Sequence, residues 1–383
     1  MKILLVSMPS LHFFRWTEQL EHAGHEVHWF DILDGSPTER LPWVKKYNGW
    51  KLKSPNLKGR YFVKKRFPKV YKKLGKVIEN DTAKTFEDIL LKVKPDVVHS
   101  FVLYIACAPI LKVMRNYNTI KWIYSSWGSD LYYYKNIPEY KSDILKVLPR
   151  VNYLITDCKR DVGIAKDLGF SGTVLGTFPG GGGFDYSNYN TYITTPAIER
   201  KIILVKGYQG RSGRCIEVLK ALAELKEHLT PFKIIVFGAS DEVITYTNET
   251  NTLDDIDLEV FSIKQFLPHS KILELMGKAL LYIGNSNSDG MPNTLLEAVA
   301  QGSFPIQSNP GGASEDVIID GKNGLLISDC NDITHIKNII FKGLSDKELI
   351  LEAFHINQTE IKPKYEIEHI KTQVLKAYNS ITD

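Results

Sequence analysis

Short, near-continuous apolar runs rich in β-branched residues recur along this chain, separated by longer stretches in which apolar positions return every three or four residues. One series falls at residues 3–7, 27–30, 97–101, 122–125 and 153–156, and a second at 202–206, 234–237, 258–262, 281–284, 304–307 and 325–327. Runs with no polar alternation suit strands covered on both faces, and the helical spacing between them suits crossover helices, so the pattern predicts parallel α/β architecture. Two series predict two such domains in tandem. The punctuation Pro179-Gly180-Gly181-Gly182-Gly183, followed by a polar stretch, predicts the boundary, with domains over 1–190 and 191–362. Beyond Pro363, Ile367, Ile370, Val374 and Leu375 stand at helical spacing and predict a packed terminal helix within 363–383.

The length of 383 residues, with 43% hydrophobic and 24% charged residues, excludes a mainly disordered, collagenous or coiled-coil chain and leaves room for two cores. The longest apolar run, 101–111, is broken by a proline and is too short to cross a bilayer. The opening apolar run ends at Pro9 with no small-residue cleavage site after it, so it reads as a first buried strand. Cys107, Cys158, Cys215 and Cys330 lack the spacing of a disulfide framework or a zinc site, and a cytoplasmic location is expected.

One segment departs from this even composition. Residues 42–78 hold 13 lysines and arginines and no acidic residue, against a net charge of +4 for the whole chain. Trp43, Tyr47, Trp50, Tyr61, Phe62, Phe67 and Tyr71 are interleaved with them. Basic and aromatic together suit an anionic membrane surface, with nucleic acid as the rival partner and a solvated basic helix pair as the plain alternative.

The chemistry concentrates in 281–327. After the strand ending at 284 comes a polar loop to Asp289-Gly290-Met291-Pro292, then a helix from Asn293 that stops before Gly302. The first amides of such a helix have no acceptor of their own and form a site for a phosphate group. Asp289 before the helix and Glu297 within it bracket that site with carboxylates able to accept from sugar hydroxyls. Asn309-Pro310-Gly311-Gly312 supplies a loop, centred on Gly312, whose backbone can approach a ligand closely.

In this order the residues resemble the GT-B glycosyltransferases, specifically the large retaining family four. Its Glu-x7-Glu motif is matched by Asp289-Gly290-Met291-Pro292 through Glu297, followed by Ala298-Val299-Ala300-Gln301-Gly302-Ser303-Phe304-Pro305, Gly311-Gly312-Ala313-Ser314-Glu315 and Asp320-Gly321-Lys322-Asn323-Gly324. The likeness continues in the amino-terminal half through Gly24-His25-Glu26-Val27, Pro95-Asp96-Val97-Val98-His99, Gly128-Ser129-Asp130 and Leu168-Gly169. It implies two Rossmann-like domains facing across a cleft, with the terminal helix returning to the first. It further implies a nucleotide-sugar donor, UDP-linked, in the second domain and a glycan acceptor in the first, with no metal required and no nucleic acid expected; the basic aromatic segment suggests that the acceptor is membrane-borne, such as a polyprenyl-linked glycan. By the same analogy Asp289 contacts the donor sugar, Glu297 the ribose and the amides of 293–295 the diphosphate, with Gly290, Gly207 and Gly312 lining the donor.

The sequence departs from the family pattern at three places. The first carboxylate is Asp289, shorter by one methylene than the usual glutamate. Pro9-Ser10-Leu11-His12-Phe13-Phe14-Arg15 replaces a glycine pair after the first strand, making His12 and Arg15 the local candidates there. Trp127 stands where a histidine is common, leaving Asp130 and His99 as candidate catalytic groups. For the cations that meet the leaving diphosphate, Arg214 occupies the family's lysine position and Tyr208 falls near its arginine, with Lys206 and Arg211 as substitutes. Phe266-Leu267-Pro268-His269 lies where the family contacts the base, and Asp255-Ile256-Asp257 reads as surface charge. A nucleotide-sugar epimerase of the same fold and a basic nucleic-acid-binding protein with a vestigial donor pocket are the alternatives to transfer.

Overall fold

The computed structural model describes residues 1–35, 38–54, 60–187, 192–265 and 267–381; the side chains of Arg60, Tyr61, Lys64, Lys72, Lys73 and Lys76 fall outside the description. The chain forms two compact units. The first comprises Met1–Asp157, Asp161–Gly182 and Lys371–Asp383, and the second Cys158–Arg160 and Gly183–Ile370. The crossing at 182–183 lies inside the glycine run and not at 190, and the return lies inside the terminal helix, Ile367–Asn379, rather than before it.

The first unit is a parallel sheet of seven strands: β1 (Lys2–Ser7), β2 (Glu26–Asp31), β3 (Lys45–Tyr47), β4 (Val97–Phe101), β5 (Lys121–Ser125), β6 (Tyr153–Thr156) and β7 (Thr173–Thr177), in the order β3-β2-β1-β4-β5-β6-β7. The second holds six: β8 (Ile202–Lys206), β9 (Lys233–Ala239), β10 (Leu258–Ser262), β11 (Ala279–Gly284), β12 (Phe304–Ser308) and β13 (Leu325–Ile327), in the order β10-β9-β8-β11-β12-β13. All strand pairs are parallel. Each sheet reverses its winding once, between β1 and β4 and between β8 and β11. A crevice opens outside the carboxyl ends of the strands at such a reversal, where α/β sheets bind ligands.

The second sheet shows why its strands read as apolar throughout. Ile203 and Val205 of β8, with Leu281 and Ile283 of β11, enter one layer with Val218, Leu219 and Leu222 of the helix Cys215–Ala223. The alternate residues Leu204 and Tyr282 enter the opposite layer with Leu295, Leu296, Ala298 and Val299 of the helix Asn293–Ala300. Residues 295–300 of that helix are all buried, so even its one carboxylate, Glu297, is drawn inward.

The described part of the basic segment forms an edge strand and two helices. Lys45–Tyr47 is an edge strand, and Trp50 donates its indole N–H to the Asp31 carbonyl at 2.8 Å, which makes Tyr47 and Trp50 packing residues of the first unit. Two helices follow at Arg60–Arg66 and Pro68–Ile78. Residues 55–59, Lys58 among them, lie outside the described residues. No helix among the described residues is long and apolar enough to cross a membrane.

Candidate functional site

The loops leaving β8 and β11, the two strands at the winding reversal of the second unit, meet directly. The Arg214 amide donates to the Asn285 carbonyl at 2.9 Å, Asn285 returns a side-chain bond to the Arg214 carbonyl at 3.1 Å, and Gly213 pairs with Ser286 in an antiparallel bridge. The turn can fold this tightly because of its glycines. A Cβ on Gly207 would lie 2.6 Å from the Ala239 Cα and 2.9 Å from the Phe237 carbonyl, closer than carbon atoms pack.

Lys206, the last residue of β8, comes within 3.8 Å of the Asp289 carboxylate, and its ammonium sits 5.0 Å from the centre of the Tyr208 ring. Asp289 is fixed by its neighbours: Oδ1 accepts from the Gly290 amide at 3.0 Å, and its carbonyl accepts from Arg160 Nη1 at 2.8 Å. The same Arg160 nitrogen donates to the Pro310 carbonyl at 2.6 Å, so one guanidinium joins the Asp289 loop to the Gly311-Gly312 loop. Gly311 and Gly312 both take left-handed backbone angles, with φ of 64° and 89°, which the turn after β12 requires.

The helix Asn293–Ala300 follows β11 and starts after Pro292, a residue with no side-chain cap to offer, so its positive end lies at the carboxyl end of the strands. Tyr282 of β11 donates to the Thr294 hydroxyl at 2.8 Å and pins that first turn; burial holds the phenol well above its usual range and keeps it a donor. At the far end, buried Arg200 donates to the Gly302 carbonyl at 2.8 Å and meets the negative end of the helix, its own pKa lowered by burial to about 10. Glu297, one turn in, is 7% exposed, and its Oε1 lies 2.8 Å from His269 Nε2. Asp289, Lys206, Glu297 and the amides of Asn293, Thr294 and Leu295 thus stand at one sheet edge, with Gly207, Gly290 and Gly312 in the loops around them.

Other expected residues are placed elsewhere. Arg214 stands in the junction of the β8 and β11 loops, where Nε donates to Asn331 Oδ1 at 2.8 Å and Nη1 to the carbonyls of Gly210 and Gly213, while Lys206 is the cation within 3.8 Å of Asp289. Arg211 is exposed. His99 is a core histidine of the first unit. It is fully buried and stacked 4.0 Å from the Phe101 ring, with Nδ1 2.5 Å from the Tyr378 hydroxyl and Nε2 2.8 Å from the Ser125 hydroxyl. Both ring nitrogens are occupied, and burial pushes its pKa down to about 3, so it offers no base to a substrate. Asp130 is likewise internal. It accepts from Tyr124 at 2.5 Å and from the Leu103 amide at 2.8 Å, and burial pushes its pKa up to about 7. The second of these bonds holds the turn after β4, where Val102 has a φ of 68°, a strained angle for a β-branched residue.

His12 lies in the first turn of the helix Leu11–Glu18, 5.9 Å, ring to ring, from Trp127, with Arg15 in the same helix. Tyr134 of the tyrosine run packs 4.7 Å from Tyr104 and 4.6 Å from Tyr140. Asp255 and Asp257 are exposed, Asp255 3.3 Å from Lys226. Phe266 lies outside the described residues, but His269 from the same stretch is the partner of Glu297. Sequence reading had no signal for Arg160 or Arg200, whose targets are carbonyls 129 and 102 residues away.

Residues 195–355 match the family model described as glycosyl transferases group 1. No curated protein sequence matches the chain. Among solved structures it is similar to a sucrose-phosphate synthase from Thermosynechococcus elongatus, with a TM-score of 0.72 at 16% identity over 100% of this chain and 99% of that one. It is also similar to a UDP-forming α,α-trehalose-phosphate synthase from Burkholderia xenovorans, with a TM-score of 0.68 at 13% identity over 100% and 99%. A third is HepE of Anabaena, solved in complex with UDP-glucose, with a TM-score of 0.65 at 13% identity over 99% and 100%. The chain is a GT-B fold protein whose second unit carries, over residues 195–355, the glycosyl transferases group 1 domain.

Proposed function

We propose that this protein transfers a hexosyl or N-acetylhexosaminyl group from a UDP-sugar to a hydroxyl of a glycan or lipid-linked acceptor, in the cytoplasm, with retention of anomeric configuration and no metal. The observation that carries the reading is the grouping of two carboxylates, Asp289 and Glu297, and one cation, Lys206, about the first turns of the helix Asn293–Ala300. The neighbours described as UDP-forming and as bound to UDP-glucose favour uridine as the base.

Each residue then has a chemical task. Glu297 accepts from the ribose hydroxyls, the amides of 293–295 take the diphosphate, and Asp289 accepts from hydroxyls of the donor sugar. In the reaction the bond between the anomeric carbon and the β-phosphate oxygen breaks, and the acceptor oxygen bonds the anomeric carbon from the same face. The acceptor's proton leaves on the departing diphosphate. Negative charge grows on that oxygen, and Lys206 with the helix terminus supplies fixed positive charge where it grows.

Calorimetric titration with UDP, GDP and ADP, each in EDTA and then in magnesium, tests the reading. UDP binding that persists in EDTA is the expected result. Failure of all three nucleotides to bind in either condition overturns the donor site, and binding that requires magnesium overturns the metal-independent mechanism.

A further inference from the structure

The helix Pro68–Ile78 buries one face and leaves another open. Tyr71 and Gly75 are buried, and the Tyr71 hydroxyl donates to Glu79 at 2.9 Å. The Lys53 amide donates to the Ile78 carbonyl at 3.0 Å and ties down the helix end. About a quarter-turn away, at spacings of four and three, Val70, Leu74 and Val77 are 55%, 44% and 68% exposed. Phe62 in the preceding helix and Phe67 between the two helices extend this stripe, at 67% and 50% exposure, their rings 6.4 Å apart. Among the described residues, five of the fifteen large exposed hydrophobic side chains therefore fall within the 16 residues 62–77. Scattered single exposures are ordinary on a soluble surface, whereas a contiguous stripe marks an interaction site.

The charge around the stripe selects the partner. Lys65, Arg66 and Lys69 are exposed beside it, and the segment 42–78 contains no acidic residue. A second copy of so basic a surface would be repelled. Nucleic acid would leave Val70, Leu74 and Val77 without a role, since aliphatic side chains are poor stacking platforms for bases. An amphipathic helix with an apolar face rimmed by cations matches the boundary between the headgroups and acyl chains of an anionic bilayer.

We propose that the helices Arg60–Arg66 and Pro68–Ile78 dock in the plane of an anionic lipid surface. Phe62, Phe67, Val70, Leu74 and Val77 enter the boundary, and Lys65, Arg66 and Lys69 meet the lipid phosphates. The residues of this surface are separate from those of the donor site, and vesicle binding, which carries the test, does not depend on nucleotide binding.

Flotation of the full chain with phosphatidylcholine vesicles, with and without phosphatidylglycerol, measures the docking. Binding to the anionic vesicles, weakened by salt and much lower on phosphatidylcholine alone, is expected. Replacing Lys65, Arg66 and Lys69 together by glutamine should weaken it about a hundredfold, taking each cation near the surface as worth about fivefold. The Val70→Ser, Leu74→Ser, Val77→Ser triple variant should weaken it about tenfold or more, with unchanged Tm and UDP affinity because all three side chains are exposed. In Leu74→Trp, the added indole should shift its emission to the blue on anionic vesicles. Wild-type affinity in the serine variant, no blue shift on bound vesicles, equal binding to both vesicle types, or displacement by an oligonucleotide that binds more tightly than the vesicles would each overturn the proposal.

Discussion

Glu297→Gln is the sharpest perturbation available at the donor site, because it removes charge while keeping shape. The carboxylate is 7% exposed, and Oε1 is already engaged by His269 at 2.8 Å, so the residue neither swings freely nor exchanges its ligand bonds for bulk water. A hydrogen bond to a charged acceptor contributes about 1.5–3 kcal/mol and one to a neutral acceptor about 0.5–1.5 kcal/mol, a difference of about 1 kcal/mol per bond. A ribose presents two adjacent hydroxyls, so the amide should weaken UDP binding by about 2 kcal/mol, roughly 30-fold in Kd. Glu297→Ala removes both bonds and leaves His269 without this partner, for a loss of about 3 kcal/mol or more, some hundreds-fold. Titration calorimetry with UDP and with 2′,3′-dideoxy-UDP reads the effect as a double-perturbation cycle: the dideoxy ligand should lose affinity for the wild type but bind all three proteins equally. UDP binding by Glu297→Ala within twofold of wild type, or undiminished discrimination against the dideoxy ligand, refutes the ribose assignment.

Three further outcomes follow from the buried groups and the tight turn. His99 is held neutral with its pKa near 3, so its effect on stability is absent above pH 6.5; below that the unfolded chain gains a proton the folded one refuses, and stability is lost as the pH falls towards 3. Urea midpoints followed by tryptophan fluorescence should show a shallower acid decline in His99→Gln, and identical slopes would count against the burial argument. Asp130 works in the opposite sense: with its pKa raised to about 7, the folded form keeps a proton that the unfolded form releases near pH 4, so stability declines as the pH rises between those values. Asp130→Asn should remove that decline, and because the two slopes oppose each other between pH 4 and 6.5, each is read as variant minus wild type. Gly207→Ala should lower the Tm and weaken UDP binding together, at a stability cost of about 1–3 kcal/mol, because its methyl group collides with backbone at Ala239; a variant of normal Tm would show that the turn can open.

The parts of this molecule that were legible in the sequence are those specified by neighbours in the chain. Eleven strands announced themselves as short apolar runs, and Pro292 and Gly302 bracketed the helix found at Asn293–Ala300. The two strands that escaped had no such run: Lys45–Tyr47 is three residues long and begins with two lysines, and Thr173–Thr177 is half-exposed and interrupted by Gly176. At the site, Asp289 and Glu297 were legible because their spacing is local. The role of His269 depends on a contact 28 residues away, and that of Arg160 on one 129 residues away. His99 misled for a related reason. Its place near the end of a strand suggested a ligand, while its actual partner, the Tyr378 hydroxyl, lies 279 residues further along.

That distant tyrosine bears on how the protein can be made. Tyr378 accepts from the Trp16 indole at 3.2 Å as well as meeting His99, so residues 16, 99 and 378, far apart in sequence, close one buried cluster in the first unit. Residues 371–381 leave the ribosome only after all of 183–370, so the first unit to be synthesised is the last to be completed. Until then the indole of Trp16 and a ring nitrogen of His99 wait without this partner, a task for a chaperone or for a loosely packed intermediate. A fragment ending near residue 182 would be arrested at that stage, and adding residues 371–381 as a separate peptide should complete its folding.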